Sequence, residues 1–298
     1  MPRRDEAAAI ALVLNDHSRS LTGRDDVTVD DIAYWFGEPG LDPERDMRVA
    51  ATADGTLVAY ADLAGGEEDG EPVWIDLRVR PGWARAAAPL LAAIEVSAVR
   101  RGAPPRRLRA AAHADDTLLH ELLAEAGYSP VRAGYRMEID LADEPAEPEW
   151  PAGVWPRLLE PGEERRAYDA HMESFADSLD FYGLPYEQWR FWLFDEDEPA
   201  FAILAEQGSE IAGLTICRER RGGELELGWI HVLGVRPPWR RRGLGRALLL
   251  ESLRELRLRG KRRVGLGVNA ENVSGAVRLY ESAGMRIVRR NDVFEKAP

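Results

Sequence analysis

A stretch of this chain occurs twice. Trp74-Ile75-Asp76-Leu77-Arg78-Val79-Arg80-Pro81-Gly82-Trp83 returns in the other half as Trp229-Ile230-His231-Val232-Leu233-Gly234-Val235-Arg236-Pro237-Pro238-Trp239, one residue longer. Further on, Glu125-Ala126-Gly127-Tyr128 matches Ser282-Ala283-Gly284-Met285, and Tyr135-Arg136-Met137-Glu138 loosely matches Asp292-Val293-Phe294-Glu295. Whatever one half folds into, the other is expected to share its order of elements. Between the copies, Asp143 to Pro156 holds prolines 145, 148, 151 and 156 among acidic residues, a stretch that continues neither a helix nor a central strand. The boundary is placed there, with domains over 1–145 and 152–298. The full 298 residues give each half an ordinary domain length.

The second copy reads as an opening helical pair within Glu163 to Trp192, then strands at Ala200 to Ala205, Glu210 to Cys217 and Glu224 to Val235. Leu248, Leu249, Leu253 and Leu256 recur on a helical period within Leu244 to Arg259. A short strand over Arg263 to Val268, a helix over Val273 to Ala283 and a hairpin-like pair over Met285 to Glu295 complete the pattern. Strands alternating with helices after a helical pair predict an α/β fold with a mixed sheet in each half.

Composition removes several classes of function. No run of residues approaches the length a bilayer-spanning helix needs, and the start, Met1-Pro-Arg-Arg-Asp-Glu, has an acidic pair where a secretory leader has its apolar core, so a cytoplasmic location is expected. One cysteine, Cys217, excludes an internal disulfide and a multi-thiolate zinc site, and the five histidines show no ligand spacing, so no metal is expected. The net charge of −13 argues against a nucleic-acid partner and is compatible with a cationic small molecule.

The strongest chemical signal is Arg240-Arg241-Arg242-Gly243-Leu244-Gly245-Arg246, where a strand gives way to a helix. Backbone N–H groups at a helix N-terminus are unpaired and carry partial positive charge, which suits phosphate oxygens, and glycine allows their close approach. The arginines add charge beside a double phosphate in an otherwise acidic chain. A dinucleotide fingerprint and a Walker loop are both absent.

Val235-x-Pro237-x-x-Arg240-x-x-Gly243-x-Gly245 resembles motif A of the GNAT (GCN5-related) N-acetyltransferase superfamily, and Asn272 followed by Leu279-Tyr280 and Gly284-Met285 is similar to its motif B. The resemblance covers Glu160 to Lys296, and the two-copy layout resembles tandem members of the mycothiol synthase type. It implies two GNAT-like acyltransferase domains and acetyl-CoA as co-substrate. Arg240, Arg241, Arg242, Gly243, Leu244, Gly245 and Arg246 would hold its pyrophosphate. Leu233, Gly234, Val235 and Asn272 would hold its pantetheine arm. The residue extra to the second repeat implies a β-bulge, placed at Gly234. The first copy has Ala84-Arg85-Ala86-Ala87-Ala88-Pro89 in place of the loop, lacks the extra residue and carries Leu123 where the second has Tyr280, so it is expected to be non-catalytic.

Acetyl transfer to an amine needs a neutral nucleophile, a polarised thioester and a proton for the departing thiolate. Tyr280 is the expected acid, since a phenol is protonated at neutral pH. In many members a glutamate on the strand before the loop is the base, and here Trp229 stands in its place. His231, on the same strand face, is the leading substitute, with Glu226 and Glu224 behind it. The acceptor is expected to be a small-molecule primary amine, met in a ternary complex and recognised by acids and aromatics between Glu173 and Glu198, with Cys217 a core residue. The alternatives are a non-catalytic acyl-CoA-binding protein and acetylation of a protein N-terminus. The assembly is expected to be a monomer or a homodimer.

Overall fold

The computed structural model describes residues 3–66, 70–101, 107–178, 181–194, 200–271 and 275–297. The first half runs α1 (Ala7–Thr22), α2 (Val29–Trp35), a one-turn α3 (Pro43–Asp46), β1 (Met47–Ala51), β2 (Leu57–Gly65), β3 (Val73–Val79), α4 (Ala87–Val99), β4 (Leu108–His113), α5 (Thr117–Glu125) and a long β5 (Ser129–Asp140). The second half follows the same order with β6 (Trp155–Leu158), α6 (Glu164–Phe175), α7 (Tyr186–Leu193), β7 (Ala200–Gln207), β8 (Glu210–Arg218) and β9 (Leu227–Val235). It closes with α8 (Leu244–Leu258), β10 (Arg263–Asn269), α9 (Ala276–Ser282) and β11 (Arg286–Lys296).

Two compact units result, Met1–Gly134 with Arg289–Pro298, and Tyr135–Val288. The division falls within β5 and β11, so the proline-rich stretch lies inside the second unit. In the first unit the strand order is β1-β2-β3-β4-β11, with β3 and β4 parallel and the rest antiparallel. In the second it is β5-β10-β9-β8-β7-β6, with β10 and β9 parallel. Residues from Arg289 thus complete the first unit's sheet, while those from Tyr135 edge the second. The segments that change places are the loosely repeated pair, Tyr135 to Glu138 and Asp292 to Glu295, so each fits the other's slot.

The expected closing hairpin is absent. Met285 to Glu295 has no turn at its centre, and β11 runs unbroken to pair Asn291–Lys296 with His113–Leu108 of β4. The strand expected from Glu224 begins at Leu227, because Arg221 and Glu224 form a separate tight bridge.

Each sheet is covered on both faces. Ile94, Leu91 and Leu123 of α4 and α5 pack one side of the first, and Ile10, Leu14 and Ile32 of α1 and α2 pack the other. In the second unit, Leu248, Leu249, Leu253 and Leu256 of α8 form an unexposed stripe on one side. Each such leucine is stabilised by about 1.5–3 kcal/mol on burial. Ala167, Ala170 and Trp189 of α6 and α7 cover the opposite face. Among the described residues no helix is long and apolar enough to cross a membrane.

Candidate active site

The site is built on β9. Opposite it, Ile216 pairs with Val232 and Cys217 with Ile230, so His231 is the inserted residue of a bulge. This corrects the placement at Gly234, which pairs regularly with Leu214. The glycine has another cause: a Cβ there would lie 2.9 Å from Cβ of Ser174 and 3.0 Å from Cε2 of Phe175. Only a bare backbone lets α6 approach that closely. After the bulge Val232 packs in the core under α6, while Leu233 and Val235 return to the α8 core.

Beyond Ile230 the sheet opens. β10 pairs with β9 only from Arg263–Leu227 to Leu266–Ile230. Arg236 N–H donates to the Ala212 carbonyl, so by strand alternation Gly234 and Val232 also face β8. The N–H groups of Leu233 and Val235 therefore point into the opening.

The loop after β9 is shaped by positive φ. Arg241 has φ 62°, the only left-handed non-glycine among the described residues, and Gly243 has φ 85° at the N-cap of α8. A non-glycine there costs about 1–3 kcal/mol, so the turn is held against strain. None of the N–H groups from Arg241 to Gly245 donates to a backbone carbonyl among the described residues, and the first that do are Arg246 and Ala247, both to Gly243. Five N–H groups without a backbone acceptor thus lie at the positive end of the helix dipole, an arrangement that would favour an anion. Arg241, Arg242 and Arg246 stand exposed around it, while Leu244 is buried. A side chain at Gly245 would project between Leu233, Val235 and Leu279, all within 4.0 Å of its Cβ position. These features fit a pyrophosphate followed by a slender chain.

Arg240 is used differently from the expectation. Its guanidinium pairs with both carboxylate oxygens of Asp177 and donates to the carbonyls of Ser174 (3.0 Å) and Val235 (3.0 Å). Arg236 likewise binds Glu173 at 2.6 Å. Both tie the loop to the end of α6, so two of the acids read as recognising a cationic acceptor are already neutralised. Asp180, Asp195, Glu196, Asp197 and Glu198 lie outside the described residues, as does Asn272.

Tyr280, on α9, is 7% exposed, and burial pushes its phenol up to about 12. Its hydroxyl makes no hydrogen bond among the described residues. It remains protonated across the neutral range, as an acid must. Leu279 beside it reaches the Gly245 position, which brings α9 to the mouth of the opening.

Trp229 lies flat over Gly265, whose Cβ would meet its ring at 2.6 Å, and Arg221 and Arg136 stack on it at 4.4 and 5.2 Å. The neighbouring carboxylates are spoken for: Arg136 and Arg263 bridge Glu138 and Glu224 into one network. Glu226 sits exposed before β9, paired with Arg262 at 3.4 Å and at the far end from the opening. His231 alone of the candidates projects from the bulge. Its side chain is exposed, yet desolvation, then the cations Arg221 and Arg218, hold its pKa well below the usual histidine value. A histidine so placed is neutral at pH 7. Cys217 is unexposed, and burial pushes its thiol up to about 12, so it is held protonated in the core.

A histidine that sequence reasoning missed lies on α6. His171 Nδ1 accepts a hydrogen bond from Trp189 Nε1 at 2.8 Å, and its ring meets Phe175 edge-on at 5.1 Å. Burial lowers its pKa to about 4, so it is neutral with its proton on Nε2. Its spacing of four from Phe175 put both on one helix face, a signal that was present in the sequence.

The first unit lacks these devices. β3 pairs with β2 without a register break, and α4 is capped by Ala86 at φ −80° with no left-handed residue between Trp83 and the helix.

Residues 165–285 match the family described as Acetyltransferase (GNAT) family. A mycothiol acetyltransferase of Actinosynnema mirum is 35% identical over 246 residues, covering 78% of each chain. One from Thermobispora bispora is 36% identical over 182 residues, covering 58% of this chain and 60% of its own. Among solved structures, a GCN5-related N-acetyltransferase from Sphaerobacter thermophilus gives a TM-score of 0.80 at 29% identity, over 99% of this chain and 94% of its own. A tandem GNAT protein from the clavulanic acid biosynthesis pathway gives 0.74 at 18% identity, over 98% and 95%, which shows the shared fold.

Proposed function

The chain belongs to the GNAT acetyltransferases, in the tandem form of the mycothiol acetyltransferase type, and from that premise we propose that its second unit moves an acetyl group from acetyl-CoA to a primary amine of a small molecule in the cytoplasm. The observation that carries the reading is the pairing of an opened, bulged strand with the five free N–H groups of Arg241 to Gly245. The same feature is missing from the first unit, so one active site per chain is proposed.

The loop binds the pyrophosphate, and the space beside Gly245 guides the pantetheine arm toward β9. There the Leu233 and Val235 N–H groups meet the thioester carbonyl and stabilise its developing oxyanion, on the order of 3 kcal/mol for one good donor. An ammonium acceptor must first lose a proton. His231, neutral at pH 7 because its pKa is depressed, receives it, directly or through water. Tyr280 donates the proton that the departing thiolate takes. Phe175 and His171 wall the acceptor side, where His171 offers a fixed Nε2–H donor. With no free cysteine nucleophile at hand, transfer is direct, in a ternary complex.

Thiol release from acetyl-CoA across a panel of amines tests this. Intersecting initial-rate patterns are expected. Parallel patterns contradict direct transfer, and no release with any amine contradicts the activity.

A further inference from the structure

The first unit holds a cavity of about 180 Å³ on the α1 side of its sheet. At ~30 Å³ each it has room for about six waters, or for an amine of a few carbons. Its residues lie apart from the acetyl-CoA loop, and the transfer reaction described above uses none of them.

Two carboxylates dominate its wall. Asp62 on β2 and Asp76 on β3 are direct cross-strand partners, so both side chains rise from the same face of the sheet. Like charges placed directly opposite repel, and a strand pair gains nothing from keeping them. Asp76 is half answered: Arg78 Nε donates to its Oδ1 at 2.6 Å, and Arg78 also lies 3.7 Å from Asp26. Asp62 is answered only by a neutral donor, the Tyr60 hydroxyl at 2.9 Å. Oδ1 of Asp62 and Oδ2 of Asp76 accept no hydrogen bond among the described residues. The far wall offers dipoles, with Asn291 on β11 and His113 on β4. Arg289 on β11 also lines the cavity, and both it and Arg78 lie within 3.8 Å of Asp26, so three acids, Asp26, Asp62 and Asp76, meet two guanidiniums and one negative charge is left over.

We propose that this cavity binds a small primary ammonium compound, its –NH3+ group seated between the Asp62 and Asp76 carboxylates. Three hydrogens on that nitrogen match the two open carboxylate oxygens and one further acceptor. Neutral polyols of the same size satisfy the hydrogen bonds but not the charge.

The protonation of Asp62 gives the site a signature. Burial first, then the neighbouring Asp76, pushes its carboxyl up to about 7. The charged and titratable groups around it are Tyr60 on its own strand, Asp76 and Arg78 on β3, and Glu38. His17, His113 and Arg289 line the same cavity from α1, β4 and β11. A bound cation favours the carboxylate, so binding expels a proton and tightens as pH rises through 7. Below that value affinity falls about tenfold per pH unit.

Calorimetry on the intact protein without acetyl-CoA tests the site, with ethanolamine as the probe and ethylene glycol as its neutral counterpart. One ethanolamine per chain is expected at pH 8, about tenfold weaker at pH 6 than at pH 8, with a heat that changes with the buffer's ionisation enthalpy. Asp62→Asn is expected to weaken binding at least tenfold and to remove the pH dependence. Ethanolamine that fails to bind at 10 mM and pH 8, or that binds no better than the glycol, overturns the proposal without any variant. An Asp62→Asn protein that melts like the parent and keeps its affinity also overturns it. Ethanolamine binding should survive Gly243→Glu, so this site and the acetyl-CoA site can fail separately.

Discussion

Gly234→Ala isolates the contact on which the acceptor side depends. The new Cβ would sit 2.9 Å from Cβ of Ser174 and 3.0 Å from Cε2 of Phe175, where carbon atoms prefer about 3.5–4.0 Å. Both obstacles belong to α6, and α6 cannot simply step back. Arg240 holds Asp177 and the Ser174 carbonyl, and Arg236 holds Glu173. Overpacking of this kind costs about 1–3 kcal/mol. For a unit of this size that lowers Tm by roughly 2–4 °C per kcal/mol, hence about 2–12 °C. The strain should also displace Phe175 and His171, raising KM for the amine about tenfold. Acetyl-CoA affinity should move far less. Gly267→Ala is the control, because nothing lies within 4 Å of its Cβ position. Differential scanning calorimetry with steady-state kinetics reads both effects. If Gly234→Ala matches the parent in Tm and in acceptor KM, α6 does not rest on β9 as described.

Tyr280→Phe should lower turnover about 10²-fold with acetyl-CoA affinity kept, measured by thiol release and calorimetry. For His231 the active form is the deprotonated one, so the rate rises with pH through a pKa held below the usual histidine range and is flat near neutrality. His231→Ala should remove that limb and cost about 10² in rate; an unchanged pH profile would hand the proton to water. Arg241→Gly should relieve the left-handed strain and raise Tm by about 2 °C, while acetyl-CoA binding persists at slightly lower affinity.

The turn between β9 and α8 was legible because its geometry is local. Glycines at 243 and 245 before a leucine-periodic helix specify a turn and a dipole without reference to the rest of the chain. The inserted residue was also countable, since the second repeat is one longer, but its position was not. Gly234 attracted the bulge because glycine tolerates irregular backbone, whereas the structure spends that glycine on the approach of α6 and bulges at His231. The exchange of strand ends escaped for a related reason: Tyr135 to Glu138 and Asp292 to Glu295 resemble each other, so either sequence fits either sheet. Arg240 and the acids of α6 look in sequence like separate ligand-binding charges. Only packing shows that Asp177 and Glu173 neutralise Arg240 and Arg236. His171 was hidden among aromatic residues and became a candidate only when Trp189 was seen to fix its tautomer.

One acetyl-CoA is expected to bind per chain, on the N–H groups between Arg241 and Gly245. Isothermal titration of the intact protein with acetyl-CoA, alongside Gly243→Glu, tests it most directly. Gly243 has open space around its Cβ position, so the variant should keep its fold by circular dichroism while placing bulk and negative charge where the pyrophosphate rests. One site is expected in the parent and no detectable binding in the variant. Two equivalent sites in the parent, or unchanged affinity in a folded Gly243→Glu protein, would contradict it.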